Sequence, residues 1–143
     1  MMNCQLFGTI IWLGLASTAY AQTQSEFSRS QVAIKKCDDM GKFESMECRD
    51  NLEKQLKSRL NKLELEYKKS LKESTSGLPG IDENLVKSFD EAERLWYQFS
   101  VEDCTSSAGL FGGSGQGAAS HTCILERYAM RIRTLQFRIK NPK

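Results

Sequence analysis

Apolar side chains recur at helical spacing along the chain, and this spacing constrains the fold more than any other feature. Between about residues 45 and 73 they follow one another at steps of three or four. This spacing places them on one face of a long helix, with lysines and glutamates on the other face. The stripe consists of Leu52, Leu56, Leu60, Leu63, Tyr67 and Leu71. We predict an amphipathic helix here, with Leu60 in the core.

Two more long helices are predicted after this one. The segment STSGLPGID ends the first helix, and Asp82 is the expected N-cap of a second helix that reaches about residue 103. Its apolar positions are Leu85, Phe89, Ala92, Trp96 and Phe99. A third helix is expected to begin at Ser120 or Thr122 and to end before Pro142. Its apolar positions are Ile124 or Leu125, Tyr128, Ile132, Leu135 and Ile139.

A short helix over about residues 28–40, stopped by Gly41, is expected to precede these three. The sequence contains no alternating strand pattern of useful length. The predicted fold class is therefore all-α: a small up-down-up bundle of three long helices plus a short N-terminal helix. The residues expected in its core with Leu60 are Phe89, Trp96, Phe99 and Tyr128.

The first 21 residues have the features of a signal peptide. An apolar run over about residues 6–15 is followed by Ala19-Tyr20-Ala21, a small-x-small cleavage pattern, although no Lys or Arg precedes the run. The run is shorter than the ~20 residues that a membrane span needs. We predict a cleaved signal peptide at 1–21, a single domain at 22–143, and a periplasmic or extracellular location.

Cleavage would remove Cys4 and leave four cysteines, Cys37, Cys48, Cys104 and Cys123. An even number of thiols in a small exported domain indicates two disulfides. A zinc site or other metal site is not expected, since no two cysteines stand two to four residues apart and His121 is the only histidine.

The predicted topology brings Cys48, Cys104 and Cys123 to one end of the bundle, and Cys37 joins them if the short first helix folds back through Gly41. Four thiols allow three pairings, and closeness at one end excludes none of them. We favour the local pairing, Cys37 with Cys48 and Cys104 with Cys123, because each bond then closes a break between two helices.

The spacing of several residues is similar to that of the lysozyme inhibitor LprI N-terminal domain family, over about residues 34–137. The features in chain order are Cys48, Leu60-Asn61, Trp96 eight residues before Cys104, a glycine-bearing loop, Cys123, and an Arg-rich closing helix with Arg127, Arg131 and Arg133. The resemblance implies a small helical, disulfide-bonded bacterial envelope protein, in a family of which some members inhibit lysozyme.

The chain departs from the family pattern in two places. Phe99-Ser100-Val101 stands where the family usually has Tyr-Arg-Asp, and Lys57 replaces an aspartate common before Leu-Asn. If the Arg-Asp pair carries a shared activity, this chain lacks it.

Charge is unevenly distributed along the sequence. Residues 82–104 carry two bases and seven acids (2 − 7 = −5), and residues 105–143 carry six bases and one acid (6 − 1 = +5). An acidic second helix would speed encounter with a basic enzyme such as a lysozyme. Alternatively, the charges form ordinary solvated faces that partly pair with each other. The basic third helix could instead meet anionic lipid or cell-wall polymer. Nucleic acid is not an expected partner of an exported protein.

No enzyme is predicted. His121 lies beside Ser120 and near Cys123, but Cys123 is expected to be oxidised and no carboxylate is placed by sequence to orient the ring. The glycines of GLFGGSGQG lack the Lys-Ser/Thr ending of a phosphate-binding loop, and no strand precedes them. We therefore expect no cofactor.

The apolar pair Leu110 and Phe111 lies within the 18-residue segment between Cys104 and Cys123. We hypothesise that this pair, with His121, forms a partner-binding tip. The alternative is that the pair folds back and covers the end of the bundle. The functional hypothesis is a noncatalytic exported lysozyme inhibitor. The alternative is an envelope-surface or partner-binding protein that uses its basic C-terminal helix.

Overall fold

The computed structural model describes residues 25–76, 78, 80–113 and 115–141, and the predicted signal peptide lies outside them. Helix α1 is described over residues 25–38. It is followed by α2 (Lys42–Ser74), α3 (Ile81–Ala108), a short 3₁₀ helix (Gly109–Phe111) and α4 (Gly115–Lys140). The described residues contain no strand, so the all-α prediction is confirmed.

The three long helices alternate in direction. Between α2 and α3, the rings of Tyr67 and Phe89 lie edge to face with their centroids 4.9 Å apart. Nearer the other end of α3, Asp103 pairs with Arg127, which lies early in α4. The predicted up-down-up arrangement is therefore present.

Helix α1 is the fourth helix of the bundle, and it runs antiparallel to both α2 and α4. Near its described start, Glu26 accepts hydrogen bonds from Arg59 and Gln136. At its other end, Asp38 contacts Arg49 and Thr122. The chain therefore folds back through Gly41, which is the condition under which Cys37 joins the other three cysteines.

The core lies where α2, α3 and α4 meet, with one contribution from α1. Its buried apolar members are Ile34, Leu56, Leu60, Leu63, Phe89, Leu125, Tyr128, Ile132 and Leu135. Trp96 is partly buried and packs against them. Its indole lies beneath the Arg131 guanidinium, 5.4 Å from the ring centre, so the core edge is capped by charge.

The prediction that Phe99 belongs to the core is wrong, because its side chain is 59% exposed. The inward positions of α3 are instead Phe89, Glu93, Trp96, Ser100 and Cys104. Cys104 is fully buried in its disulfide and fixes this face of the helix. Phe99 stands five residues before Cys104, about 140° around a helix from it. Two of the inward positions, Glu93 and Ser100, are polar, so the pattern of apolar residues did not reveal this register.

The helices also extend further than the sequence indicated. Helix α3 continues five residues past position 103, and α4 begins at Gly115 rather than at Ser120 or Thr122. The expected 18-residue loop is therefore reduced to the short segment around Gly109–Phe111. At the start of α3 the N-cap is Gly80, in a left-handed conformation, and not Asp82, which lies in the first turn.

No helix in the described part of the chain is long and apolar enough to cross a membrane.

The corrected register of α3 predicts opposite outcomes for two phenylalanines of the same helix. Phe89 is 6% exposed, so Phe89→Ala should lower the free energy of unfolding by about 3–5 kcal/mol. Phe99→Ala should change it by no more than about 0.5 kcal/mol. Urea unfolding of dilute protein, followed by circular dichroism, measures both values. Equal losses for the two variants would contradict the register.

Candidate docking surface at the disulfide end of the bundle

Two local disulfides join consecutive helices. Cys37 in α1 is bonded to Cys48 in α2, with the Cα atoms 5.4 Å apart. Cys104 in α3 is bonded to Cys123 in α4, with the Cα atoms 5.5 Å apart. This is the local pairing that the sequence favoured.

The carboxylate of Asp38 contacts residues close to both disulfides. Asp38 follows Cys37, and its Oδ1 accepts a 3.0 Å hydrogen bond from Nη1 of Arg49. The same oxygen accepts a 2.8 Å hydrogen bond from the hydroxyl of Thr122, which precedes Cys123. Both disulfides therefore lie at one end of the bundle, which we call the disulfide end.

His121 lies within α4. Its Nε2 is 2.9 Å from Oε2 of Glu53, and its Nδ1 is 3.9 Å from Oδ1 of Asp50. Glu53 also pairs with Lys57 at 2.7 Å. The two carboxylates that orient the imidazole come from α2, far away in sequence, so His121 helps to hold α4 against α2.

Neighbouring charges stabilise the ionised form of Glu53, as expected for a carboxylate that holds two helices together. Burial of the Glu53 carboxyl acts to raise its pKa, but the hydrogen bond and charge of Lys57, together with His121, outweigh burial and leave the pKa lowered. Burial raises the pKa of Tyr128 to about 12. The Tyr128 hydroxyl therefore stays protonated at neutral pH.

The same balance holds where α1 meets α2 and α4. Burial of the Glu26 carboxyl acts to raise its pKa, but hydrogen bonds from Arg59 and Gln136 and the charge of Arg59 leave it lowered. The ionised form of Glu26 therefore ties α1 to both neighbouring helices.

The segment between the helices forms a small projecting tip, Gly109 to Gly113. Leu110 in this tip is 89% exposed, the highest value among the exposed large apolar residues. Gly112 and Gly113 have φ angles of 61° and 58°, which side chains other than glycine rarely adopt. Leu110 therefore does not fold back over the bundle end. The Phe111 side chain lies outside the described residues.

The side chains of His121 and Leu110 lie in different environments, although both residues were predicted to form one partner-binding tip. The His121 side chain is 21% exposed and engaged with α2 carboxylates, whereas Leu110 projects into solvent. Of the described side chains in this candidate set, only Leu110 presents an open apolar surface.

A shallow cavity of about 520 Å³ lies beside the Asp38 contacts. Met40 of the α1–α2 connection and Lys42 at the start of α2 line one side, and Ala118 and Thr122 of α4 line the other. The contacts of Asp38 went unpredicted from the sequence. Asp38 and Thr122 each adjoin a cysteine, so gathering the cysteines at one end also gathers these two residues.

The acidic and basic helices pair with each other. Nε of Arg131 donates a 3.0 Å hydrogen bond to Oε2 of Glu93, and a second guanidinium nitrogen pairs with Oε1 of the same carboxylate. Asp103 pairs with Arg127, and Asp90 pairs with Lys68. Many of the acidic residues of α3 and the basic residues of α4 are therefore neutralised by ion pairs within the bundle.

These features define a small, doubly disulfide-bonded helical bundle with a projecting tip. The family model described as Lysozyme inhibitor LprI matches residues 35–135, which include both disulfides and the tip. The match spans more than half of the chain, which therefore belongs to the LprI lysozyme inhibitor family. No curated protein and no solved structure matches the chain significantly.

The lowered pKa of Glu53 predicts a loss of stability in acid. A depressed carboxyl pKa contributes stability above the ordinary value of 4.5, and this contribution is lost as the pH falls through the lower folded-state pKa. Glu53→Gln should therefore be less stable than the native protein at pH 7, and the difference should shrink as the pH falls towards about 3. Melting temperatures across this pH range measure the effect.

Glu66→Gln, at an exposed position of the same helix, is the matched control and should follow the native pH profile. A constant difference between Glu53→Gln and native protein at all pH values would show that the Glu53 charge does not stabilise the α2–α4 contact.

Proposed function

We propose that this protein is an exported, noncatalytic inhibitor that binds a lysozyme. Family membership over residues 35–135 is the observation that carries the proposal. Two disulfides in a small domain are typical of an oxidising compartment and support export. In this proposal residues 1–21 are the signal peptide that directs it.

The tip is the proposed contact with the enzyme. Ligand sites of enzymes are concave, so a projecting segment with an apolar side chain has a shape that can enter one. Leu110 supplies the apolar group, and the Cys104–Cys123 bond holds the base of the tip. Restricting the free conformations of a binding segment lowers the entropy lost on binding.

Charge gives the lysozyme hypothesis more support than the envelope-surface alternative. Arg127 and Arg131 pair with α3, and Arg133 lies over the ring of Phe27 in α1 at 5.1 Å. These arginines are therefore engaged within the bundle, which weakens the case for α4 as a basic surface for anionic polymer or lipid. On α3, Glu83 remains exposed and could attract a basic enzyme.

A lysis-protection assay tests the proposal directly. Purified mature protein should slow the lysis of bacterial cells by a lysozyme, and Leu110→Ser should reduce this protection at least about tenfold, since loss of a hot-spot anchor costs about 2 kcal/mol or more. The melting temperature should not change, because Leu110 is exposed.

Leu65→Ser, which replaces an exposed leucine on α2, is the matched control and should protect as well as the native chain. Equal protection by Leu110→Ser and native protein would remove the tip from the mechanism. Absence of protection by native protein against several lysozyme classes would refute the inhibitor proposal itself.

A further inference from the structure

Helix α3 carries a second stripe of side chains that the bundle does not cover. The stripe begins at Ile81 and continues at alternating steps of four and three residues. All its members are exposed: Ile81, Leu85, Ser88, Ala92, Leu95, Phe99 and Glu102. Alternating steps of three and four form the seam along which two helices pack in a coiled coil. From Leu85 to Glu102 this seam is about 26 Å long at 1.5 Å per residue.

The sizes of the side chains along this seam are complementary under antiparallel pairing. Between Leu85 at one end and Glu102 at the other, two small residues, Ser88 and Ala92, are followed by two large residues, Leu95 and Phe99. If a second copy of α3 packs in the opposite direction, Ser88 faces Phe99 of the second copy and Ala92 faces Leu95. At these four central positions each large side chain lies against a small one, as interdigitated packing requires, and Leu85 faces Glu102 of the second copy at each end of the seam.

Charged residues in the seam and along one edge of it are also self-complementary. In the same register, Lys87 comes within about 3 Å along the helix axis of Glu102 of the second copy, and Glu91 comes equally close to Arg94. Arg94 already donates hydrogen bonds to Glu91 of its own chain at 2.8 and 2.7 Å. Two copies would therefore join these pairs into a four-charge network across a two-fold axis.

From this complementarity we propose that the outer face of α3 is a homodimer interface, formed by antiparallel packing against a second copy of the chain. A two-fold interface uses the same patch on both subunits, and the size and charge patterns of α3 meet this requirement. The tip and the Leu110 side chain take no part in it, so association does not depend on the proposed inhibitor function.

Sedimentation velocity over about 1–200 μM protein tests association, a range that spans weak to moderate dimer affinities. We expect the native chain to shift from monomer towards dimer as concentration rises. Leu95→Ser should raise the dissociation constant at least about tenfold, because a buried central leucine is removed. Leu65→Ser, on α2 outside the seam, should leave it unchanged.

Cysteine cross-linking tests the direction of pairing. Ser88→Cys and Phe99→Cys chains, each alone, should not form an intermolecular disulfide under mild oxidation, since antiparallel pairing separates identical positions by about 16 Å along the axis. An equal mixture should form a mixed dimer, because these two positions face each other.

Several outcomes would overturn the proposal. Native protein that stays monomeric at all concentrations would exclude the dimer. Association unaffected by Leu95→Ser would place the interface elsewhere, and cross-linking of Ser88→Cys with itself would show parallel packing. Monomeric native protein that loses lysozyme protection on Leu95→Ser would assign the seam to the enzyme rather than to a second copy.

Discussion

The bond between Cys104 and Cys123 is the constraint on which the rest of the structure depends. It holds the end of α3 to the first turns of α4, and its fully buried Cys104 determines which face of α3 points inward. That face brings Glu93 to Arg131 and Phe89 to Tyr67. It also turns Phe99 and Leu95 outward. One covalent contact thus determines both the packed and the unpacked sides of the helix.

The α3–α4 contact accommodates charge that an apolar core would exclude. Glu93 is buried, and burial of an unpaired carboxylate is costly. Its two-atom contact with Arg131 satisfies both oxygens, while the Arg131 guanidinium also lies over Trp96. Removing one partner of such a pair would leave an uncompensated charge, so the pair specifies which helix faces meet.

Much of the fold follows from the sequence, because helical periodicity and helix breaks are local signals. The all-α class, the alternating directions and the burial of Leu60 and Tyr128 were all predictable. The inward face of α3 was not predictable, since Glu93 and Ser100 are polar residues at inward positions and Arg131, the partner of Glu93, lies on another helix. The setting of His121 was equally hidden, because Glu53 stands 68 residues away in the chain. Glycines suggested a long loop, but Gly115 and Gly117 lie in a helix that tertiary contacts stabilise.

The position of the tip relative to the second disulfide has a consequence for resistance to proteolysis. Exposed glycine-rich segments are preferred sites of proteolytic cleavage. A cut between Gly109 and Gly113 would fall inside the ring closed by Cys104 and Cys123, so the two fragments would remain covalently joined. The packed helices would keep their places after such a cut. A protease could therefore cut this protein at the tip without releasing either half.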